Sequence, residues 1–286
     1  MKKAFTILLL SLASTAAMAG GPGTEVLPFL QQDFNPSSLA MGGTSVGSAA
    51  TVPFMDCRFA AGVSYLDYLP KYDECKYFGG GAAGRLGNLG LSLDFTRGSG
   101  EPAFGDSFSP YRLLADAGIS YKFVDFLSVG VNAKYAKEQL LDDYGISSTA
   151  ADIFLAGKVR GFAYEAGVSN LGPAVKSDTG SWSLPSAFTV AGSYVNVVSG
   201  LHRLEAKFKI DYYFSGCSGV SAGAQYGFAD LVFVRGGYHY GGETIIPSYA
   251  SAGLGLKFFN VTLDAVCLFA SDTLQDSFGF SLGVSF

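Results

Sequence analysis

One stretch of the chain, residues 203–211, alternates charged and apolar side chains without exception. The charged positions are Arg203, Glu205, Lys207, Lys209 and Asp211, and the apolar positions between them are Leu204, Ala206, Phe208 and Ile210. A β-strand sends successive side chains to opposite faces, so one face of this stretch is ionic and the other is apolar. Such an ionic face can line a polar conduit or form a network of ion pairs. Because the signs are mixed, selection of one ion by a charged ring is not expected.

Other charged residues fall on the predicted inward-facing side of further strands. They are Lys122, Lys134, Lys158, Glu165, Arg235, Lys257, Asp94, Asp116, Asp152 and Asp264. Arg235 and Asp264 join the five charged residues above in a predicted polar network. This network is expected to lie in the lumen, the interior of the β-barrel that is predicted below. Two interpretations remain open: a polar or ligand-conducting channel, and a network of ion pairs that fills a modest lumen. The second is favoured for most of these residues, because buried charges generally require partners.

No set of residues has the spacing of a catalytic site. His202 and His239 lie on or beside different predicted strands, and no G-x-S-x-G, H-E-x-x-H or phosphate-binding loop occurs in a fitting context. A chance pairing of one of the many serines with His239 is the remaining route to hydrolase chemistry. The sequence therefore predicts a protein that is not an enzyme and that carries no cofactor.

Four cysteines are spread along the chain, at Cys57, Cys75, Cys217 and Cys267. They form no C-x-x-C unit, so their spacing does not indicate a metal site. An exported protein can form disulfides, but the sequence alone does not assign the pairing. Cys267 falls on a predicted lipid-facing position, where a free cysteine acts as a small apolar residue.

The composition excludes several classes of protein. Apolar residues make up 49% of the chain and charged residues 15%, with 38 Gly, 24 Phe and 16 Tyr, which is too apolar for a disordered protein. Beyond the N-terminal leader, no run approaches the roughly 18 apolar residues of a membrane-spanning helix. The net charge of −5 gives no basic surface for nucleic acid.

Period-two alternation recurs from about residue 57 to the last residue, and this pattern predicts the fold. Large apolar residues share one face of each segment and small or polar residues share the other, for example in 89–95, 127–135 and 278–286. Tight turns are predicted at 87–88, 124–125, 229–230 and 259–260, with longer polar loops between them. The expected structure is an all-β, transmembrane antiparallel β-barrel of about 14 strands over residues 57–286. Lipid offers no hydrogen-bond partners, so the last strand must pair with the first.

The first 56 residues divide into two parts. Residues 1–19 have the positive start, apolar run and A-x-A site of a bacterial signal peptide, with cleavage predicted after Ala19. Residues 20–56 are predicted to be a periplasmic lead-in followed by a short N-terminal hatch inside the lumen. The predicted gate residues of this hatch are Phe29, Leu30, Leu39, Met41, Gly42 and Gly43. The expected location is the bacterial outer membrane.

Several segments of the chain resemble the PorV/PorQ family of outer-membrane barrels, which belongs to the FadL-like superfamily in Bacteroidota. The segments are Phe29-Leu30, then Ser38-Leu39-Ala40-Met41-Gly42-Gly43-Thr44-Ser45-Val46, and later 127–135, 166–172 and 251–256. The resemblance implies a fourteen-stranded barrel with an N-terminal hatch. It also implies a role in type IX protein secretion, where members of the family carry cargo or hold a surface partner.

These observations lead to three hypotheses on function. The first is an accessory or anchoring component of type IX secretion, with secretion-system proteins or a surface protein as partners. The alternative is a FadL-like passive transporter of hydrophobic small molecules, in which the hatch gates a lumen pocket and a lateral opening breaks one wall. The third is a structural outer-membrane protein. In each case the lipid bilayer is a partner and nucleic acid is not.

Overall fold

The computed structural model describes residues 25–68, 75–100, 108–142, 144–177, 180–242, 244, 246–270 and 277–286. The predicted signal peptide, its cleavage after Ala19 and the first residues of the predicted lead-in lie outside these residues. So do residues 271–276, which form one of the longer polar loops expected between the strands. No helix in the described ranges is both long enough and apolar enough to cross a bilayer.

Sixteen strands occur in the described part of the chain. They are β1 (Phe59–Tyr68), β2 (Cys75–Leu86), β3 (Leu89–Ser99), β4 (Tyr111–Val124), β5 (Leu127–Leu141), β6 (Tyr144–Val159), β7 (Phe162–Leu171), β8 (Val175–Ser177), β9 (Gly180–Trp182), β10 (Ala187–Ser199), β11 (His202–Tyr213), β12 (Ser218–Phe228), β13 (Val232–Tyr240), β14 (Tyr249–Phe258), β15 (Val261–Phe269) and β16 (Ser277–Ser285). Fourteen of them form a closed antiparallel barrel, while β8 and β9 form a separate hairpin between β7 and β10. The predicted fold class is confirmed.

The barrel closes where the last strand meets the first. β16 pairs with β1 from Ala60 opposite Ser285 to Asp67 opposite Phe278. β7 pairs with β10 across the hairpin excursion, with Ala187 opposite Ser169. Every barrel strand thus has a hydrogen-bonded neighbour on both sides, which is what a lipid environment requires of backbone N–H and C=O groups.

The two ends of the barrel differ in the length of their connections. One end has turns of two or three residues, at 87–88, 125–126, 160–161, 200–201, 229–231 and 259–260. We call it the turn end, and the opposite end the loop end. The turn predicted at 124–125 lies one residue later, and the sequence analysis did not predict the turns at 160–161 and 200–201. At 160–161 the backbone nevertheless has the left-handed conformation of tight hairpins, with φ 48° at Arg160 and 83° at Gly161.

The two faces of the wall follow the predicted alternation. On β3, Leu93 faces outward and is 64% exposed, whereas its neighbour Ser92 faces the lumen and is 8% exposed. On β11, Phe208 and Ile210 point outward, and Lys209 between them lies on the lumen side. Large apolar side chains therefore meet the lipid, and small or polar ones are enclosed.

Residues 25–57, which we call the lumen segment, run through the barrel interior from one end to the other. At the loop end, the Val26 amide donates to the Ser183 carbonyl at 3.0 Å. At the turn end, just after the lumen segment, the Arg58 amide donates to the Phe286 carbonyl at 2.6 Å. The segment contains three short helical turns, which are η1 (Pro28–Gln31), α1 (Pro36–Leu39) and η2 (Ala49–Phe54).

The helix α1 has clear start and stop signals. The Asn35 side chain caps its first turn by accepting a hydrogen bond from the Ser37 amide at 3.0 Å, and Pro36 occupies the first helical position. Gly42 and Gly43, at φ 78° and 73°, turn the chain away after the helix. This turn directs the next residues across the lumen.

Candidate functional site

The lumen segment rests on glycines of the barrel wall at two places. The first contact, which we call the upper seat, is formed by inward-facing glycines of β12, β13 and β14: Gly223, Gly237 and Gly253. A Cβ atom at Gly237 would overlap the backbone of Met41 and Gly42, and one at Gly223 would overlap Met41. The backbone of the segment therefore approaches the sheet closely because these wall residues have no side chain.

The second contact, the lower seat, lies under η2 on the opposite wall. Its glycines come from β3, β4 and β5: Gly90, Gly118 and Gly130. Two hydrogen bonds fix η2 on this surface. The Ala49 amide donates to the Asn132 side-chain oxygen at 3.0 Å, and the Ser128 hydroxyl donates to the Ala50 carbonyl. η2 is thus held by shape and by buried polar contacts.

The six predicted gate residues of the hatch all lie in the lumen, in two separate groups. Phe29 and Leu30 pack near the loop end in a buried apolar cluster with Ala136, Ala150 and Leu184. Leu39 belongs to a different cluster, which includes Leu66, Tyr249, Val266 and Leu268. Met41 and Gly42 lie on the upper seat, where Met41 is 2% exposed, and Gly43 follows beside the Tyr249 hydroxyl. The two groups anchor different parts of the segment.

The predicted polar network divides into two parts and leaves one member outside. Lys209 and Asp211 form one pair, with 3.3 Å between Nζ and Oδ2. The other part is a ladder across the wall, in which Lys207 pairs with Glu205 at 3.3 Å and Arg235 with Asp264 at 2.5 Å. Gln225, which the sequence analysis did not single out, joins these two pairs: it donates to Glu205 and accepts from Arg235. Arg203 takes part in neither, and its buried Nε has no hydrogen-bond partner among the described residues.

Asp33 connects the lumen segment to the Lys209–Asp211 pair. Its carboxylate accepts hydrogen bonds from the Asn35 amide at 2.9 Å and the Ser38 hydroxyl at 2.5 Å. Burial raises the pKa of Asp33, and the nearby Lys209 ammonium opposes this shift without cancelling it. The ionised carboxylate is therefore unfavourable in the folded protein, because its charge is removed from water.

This shift predicts how the stability of the protein depends on pH. A carboxyl group whose pKa is raised on folding favours the folded state at pH values below its unfolded pKa, and this contribution is lost as the pH rises through the folded pKa. We expect Asp33→Asn to melt at a higher temperature than the wild type at pH 7, with the advantage gone below about pH 3.9, the usual pKa of aspartate. Asn can keep both contacts by donating to the Ser38 hydroxyl. Circular dichroism melting between pH 3.5 and 8 measures the difference.

The matched control is Asp56→Asn, the same chemical change on a carboxylate that is 90% exposed at the turn end. Its melting temperature should follow the wild type at every pH. A constant difference between Asp33→Asn and the wild type across this range would show that burial of the Asp33 charge does not affect stability.

A second polar cluster joins Lys134 and Asp152, two of the predicted inward-facing charges, to Asn170, which the sequence analysis did not identify as a site residue. Asn170 has φ 56°, a left-handed conformation that Asn tolerates, beside a β-bulge between β6 and β7. Its amide N–H donates to Asp152 at 2.7 Å, and its side chain donates to the carbonyls of Leu30 and Pro185. Lys134 pairs with Asp152 at 2.6 Å and donates to Asn170 at 3.1 Å. An Asn inside an otherwise regular strand pattern is the sequence signal for this anchor.

A cavity of about 490 Å³ lies between the lumen segment and the wall formed by β1, β2 and β16. The wall side carries almost no side chains, because its inward residues are Ala60, Gly62, Ser64, Gly79, Gly81, Ala83, Ser281 and Gly283. The opposite side is polar and includes Asp94, Asp116, Lys134 and Lys209. The volume falls within the roughly 300–1,000 Å³ of typical small-molecule sites.

The wall around this cavity is continuous. β1 pairs with β2 from Phe59 opposite Gly84 to Tyr68 opposite Cys75 without a register shift, and β2 pairs with β3 in the same regular way. The transporter hypothesis predicts a lateral opening as a break in one wall. No such break occurs between neighbouring strands in the parts of the barrel that the structure describes.

The serine–histidine pairing considered above occurs in the lumen, but it lacks the features of a hydrolase. The Ser221 hydroxyl lies 2.9 Å from His239 Nδ1, and the other ring nitrogen, Nε2, is buried with no partner in the described chain. A catalytic base is oriented by a third group on that nitrogen. Ser221 itself is only 1% exposed, so a substrate cannot reach it. The pair acts as a contact between β12 and β13.

The cysteine side chains described by the structure belong to Cys57, Cys217 and Cys267, which lie far apart along the chain. Within the described residues, no group of three or more His, Cys, Asp or Glu side chains could hold a metal ion. The candidate site is the cavity beside the lumen segment.

No protein-family model and no curated protein matches the sequence. The monoaromatic hydrocarbon channel CymD is similar in structure, with a TM-score of 0.64 and 13% identity over 88% of this chain and 97% of that chain. The toluene transporter TodX of Pseudomonas putida gives a TM-score of 0.62 and 13% identity over 87% and 97% of the two chains.

A FadL homologue of Pseudomonas aeruginosa is also similar, with a TM-score of 0.51 and 13% identity over 94% of this chain and 96% of that chain. At such low identity the similarity concerns the fold. Membership of the PorV/PorQ family stays a prediction. The chain has the fold of the FadL-like outer-membrane barrels.

Proposed function

We propose that the protein is a passive outer-membrane channel for small hydrophobic molecules, with the lumen segment as its hatch. The observation that carries this proposal is the cavity of about 490 Å³ between the lumen segment and the wall of β1, β2 and β16. A barrel that served only as a structural element would have no need of such a space. Two proteins that share the fold are a monoaromatic hydrocarbon channel and a toluene transporter.

The way the lumen segment is held supports a gating role. The segment is fixed at the upper seat by residues 40–42 and at the lower seat by residues 49–54. The connection between the seats faces the cavity, where Ser45 and Gly47 are exposed and nothing lies within 4 Å of a Cβ built on Gly47. Residues with few packed neighbours move at low cost, so Ser45 and Gly47 are where this connection can shift.

The secretion hypothesis has less support. It rests on the sequence resemblance alone, and none of the similar structures described above is a secretion protein by its description. A secretion partner also needs a surface to bind, and the fully described connection at 214–217 of the loop end is short. The passage of small molecules through the lumen needs no such surface.

Filling the cavity tests the proposed route. Ala83 lies on the inward face of β2 and lines the cavity, so the ring of Ala83→Phe would occupy space that a passing molecule needs. We expect this variant to lose most of the protein-dependent uptake of a radiolabelled monoaromatic hydrocarbon. The measurement is the initial uptake rate of intact Gram-negative cells that produce the variant, after subtraction of the rate in cells that lack the protein.

The control for this experiment is Ala82→Phe, on the neighbouring residue whose side chain points to the lipid. It adds the same ring to the same strand outside the lumen and should leave uptake unchanged. Equal uptake by the wild type and Ala83→Phe, at equal amounts of folded protein, would exclude the cavity as the route. An absence of uptake in the wild type would argue for the secretion hypothesis instead.

A further inference from the structure

The outer surface of the barrel carries a group of cations near the loop end. Arg97 on β3 and Lys137 on β5 lie against Tyr111 on β4, and Lys76 on β2 stands at the same height, separated from Tyr111 by Ser99. All four face outward, because the residues next to them in the strands, Tyr77 among them, are buried on the lumen side. We call this set of four residues the outer basic patch.

The patch is organised around the tyrosine ring. The Arg97 guanidinium carbon lies 5.8 Å from the centroid of the Tyr111 ring, and Lys137 Nζ lies 5.4 Å from the same centroid. Arg97 and Lys137 are both opposite Leu113 in the register of β4, so they stand at the same height on the barrel. Since neighbouring strands are about 4.8 Å apart, their Cα atoms are separated by roughly 10 Å across the face. Two long cationic side chains therefore flank one aromatic ring, and their ends can converge on a single anion.

None of the three cations has an acidic partner in the described residues. The neighbouring acid Glu138 points into the lumen and is paired with Arg112 at 2.6 Å. Asp67 stands opposite Lys76 in the strand register, but its buried Oδ1 has no hydrogen-bond partner among the described residues. Arg97 and Lys137 thus present positive charge for which the described chain supplies no acidic partner.

The position of this charge on the wall indicates what neutralises it. A lysine or arginine on the lipid-facing side of a barrel is costly near the centre of the bilayer and is tolerated only near its interfaces. Towards the turn end, the next outward-facing residues after Arg97 and Lys137 are the exposed Phe95 and Tyr135, and Phe78 is exposed directly opposite Arg97. Cations above exposed aromatic side chains match a molecule with an anionic head and apolar chains.

We propose that the outer basic patch binds the phosphate-bearing headgroup of a membrane lipid in the leaflet at the loop end. Arg97 and Lys137 contact the phosphate oxygens from the two sides of Tyr111, and Lys76 adds a third positive charge. The acyl chains of the same lipid lie along Phe95 and Tyr135. This lipid belongs to the membrane around the barrel and is distinct from any molecule that passes through the lumen.

Native mass spectrometry of the full-length protein, released from detergent in the presence of diphosphoryl lipid A, tests this proposal. The variant is Arg97→Gln combined with Lys137→Gln. Removing two cations at a membrane surface should weaken retention of lipid A by roughly 30-fold. The control is Arg160→Gln combined with Lys176→Gln, which removes the same charge from the 160–161 turn and from β8. It should bind as the wild type does.

Two further probes separate the sources of the phosphate group. Phosphatidylcholine, which has no net charge, should bind weakly, and it should bind equally to the wild type and to the variant with Arg97→Gln and Lys137→Gln. Inorganic phosphate at the same concentration should not displace lipid A, because it lacks the acyl chains. Equal retention of lipid A by the wild type and the patch variant would overturn the proposal, as would an equal loss in the control variant. Displacement by inorganic phosphate would show a simple anion site in place of a lipid site.

Discussion

Replacement of Gly237 by valine is expected to release the lumen segment from the upper seat while the barrel still folds. The backbone of Met41 and Gly42 occupies the space where a side chain at residue 237 would have to be. Because the overlap is with backbone, no rotation of a side chain can relieve it, and the segment itself must move away. Overpacking alone costs about 1–3 kcal/mol. This cost falls on the contacts that hold residues 40–42 at the upper seat.

The released segment should be visible in two measurements. Single-channel conductance in planar bilayers should rise above that of the wild type, because the lumen is no longer filled at this level. Chymotrypsin should cut the variant within residues 29–41, which contain phenylalanine, leucine and methionine that are buried in the wild type. Migration of the unheated protein as a compact band in gel electrophoresis checks that the barrel itself is intact.

The neighbouring residue provides the matched control. Gly236 points to the lipid, and a Cβ atom built there meets only the Ser251 carbonyl oxygen, at an ordinary distance of 3.8 Å. Gly236→Val therefore adds the same side chain to the same strand without touching the segment, and it should keep the wild-type conductance and protease resistance. If Gly237→Val behaved in the same way, contact with the upper seat would not be what holds the segment.

The seats show what sequence alone cannot provide. Alternation places Gly81, Gly237 and Gly283 on the inward face of their strands, and in the sequence they are equivalent. Gly237 touches the lumen segment, whereas Gly81 and Gly283 line an open cavity. The difference depends on the path that residues 25–57 take through the barrel. That path is set by many weak contacts between parts of the chain that are far apart in sequence, which no local pattern records.

For the polar network, too, the sequence predicts only part of what the structure shows. The period-two pattern indicates which charged residues face inward, because the face of a side chain depends only on its parity in the strand. It does not indicate the partner. Lys209 pairs with Asp211 two residues away on its own strand, Arg235 reaches across β14 to Asp264, and Arg203 pairs with no described residue.

Exceptions to the pattern were more informative than the pattern itself. Arg97 and Lys137 fall on the outward parity, where lipid-facing apolar residues are expected, and they form the outer basic patch. The turn at 160–161 was not predicted because Arg160 is not a typical turn residue, although its φ of 48° is positive. Cations on an otherwise apolar face therefore indicate a candidate binding site, as charges in a predicted lumen do.

The pair of Arg235 and Asp264 is expected to be the most sensitive polar contact in the barrel. The two side chains are 7% and 10% exposed, and Gly255 on the intervening β14 lets them meet, since a side chain there would overlap both. Asp264→Leu would leave the guanidinium buried with only the Gln225 oxygen, 2.6 Å from Nε, as a described hydrogen-bond partner. Removal of one partner of a buried ion pair costs about 3–5 kcal/mol. We expect a loss of this size in the free energy of unfolding, measured by urea titration in lipid vesicles.

A double variant separates the cost of leaving one charge buried and unpaired from the loss of the attraction between the two side chains. Most of the cost arises from the unpaired charge that remains, so the double variant Arg235→Met with Asp264→Leu should recover stability to near or above the wild type. Asp56→Ala serves as the exposed comparison, because its partner Lys158 is 3.9 Å away and the two side chains are 90% and 48% exposed. It should have little effect, since water replaces a surface ion pair. If Asp264→Leu were as mild as Asp56→Ala, water in the lumen would have to solvate Arg235. In that case the inward charges would line an aqueous conduit, and the interpretation of a filled, paired network would be wrong.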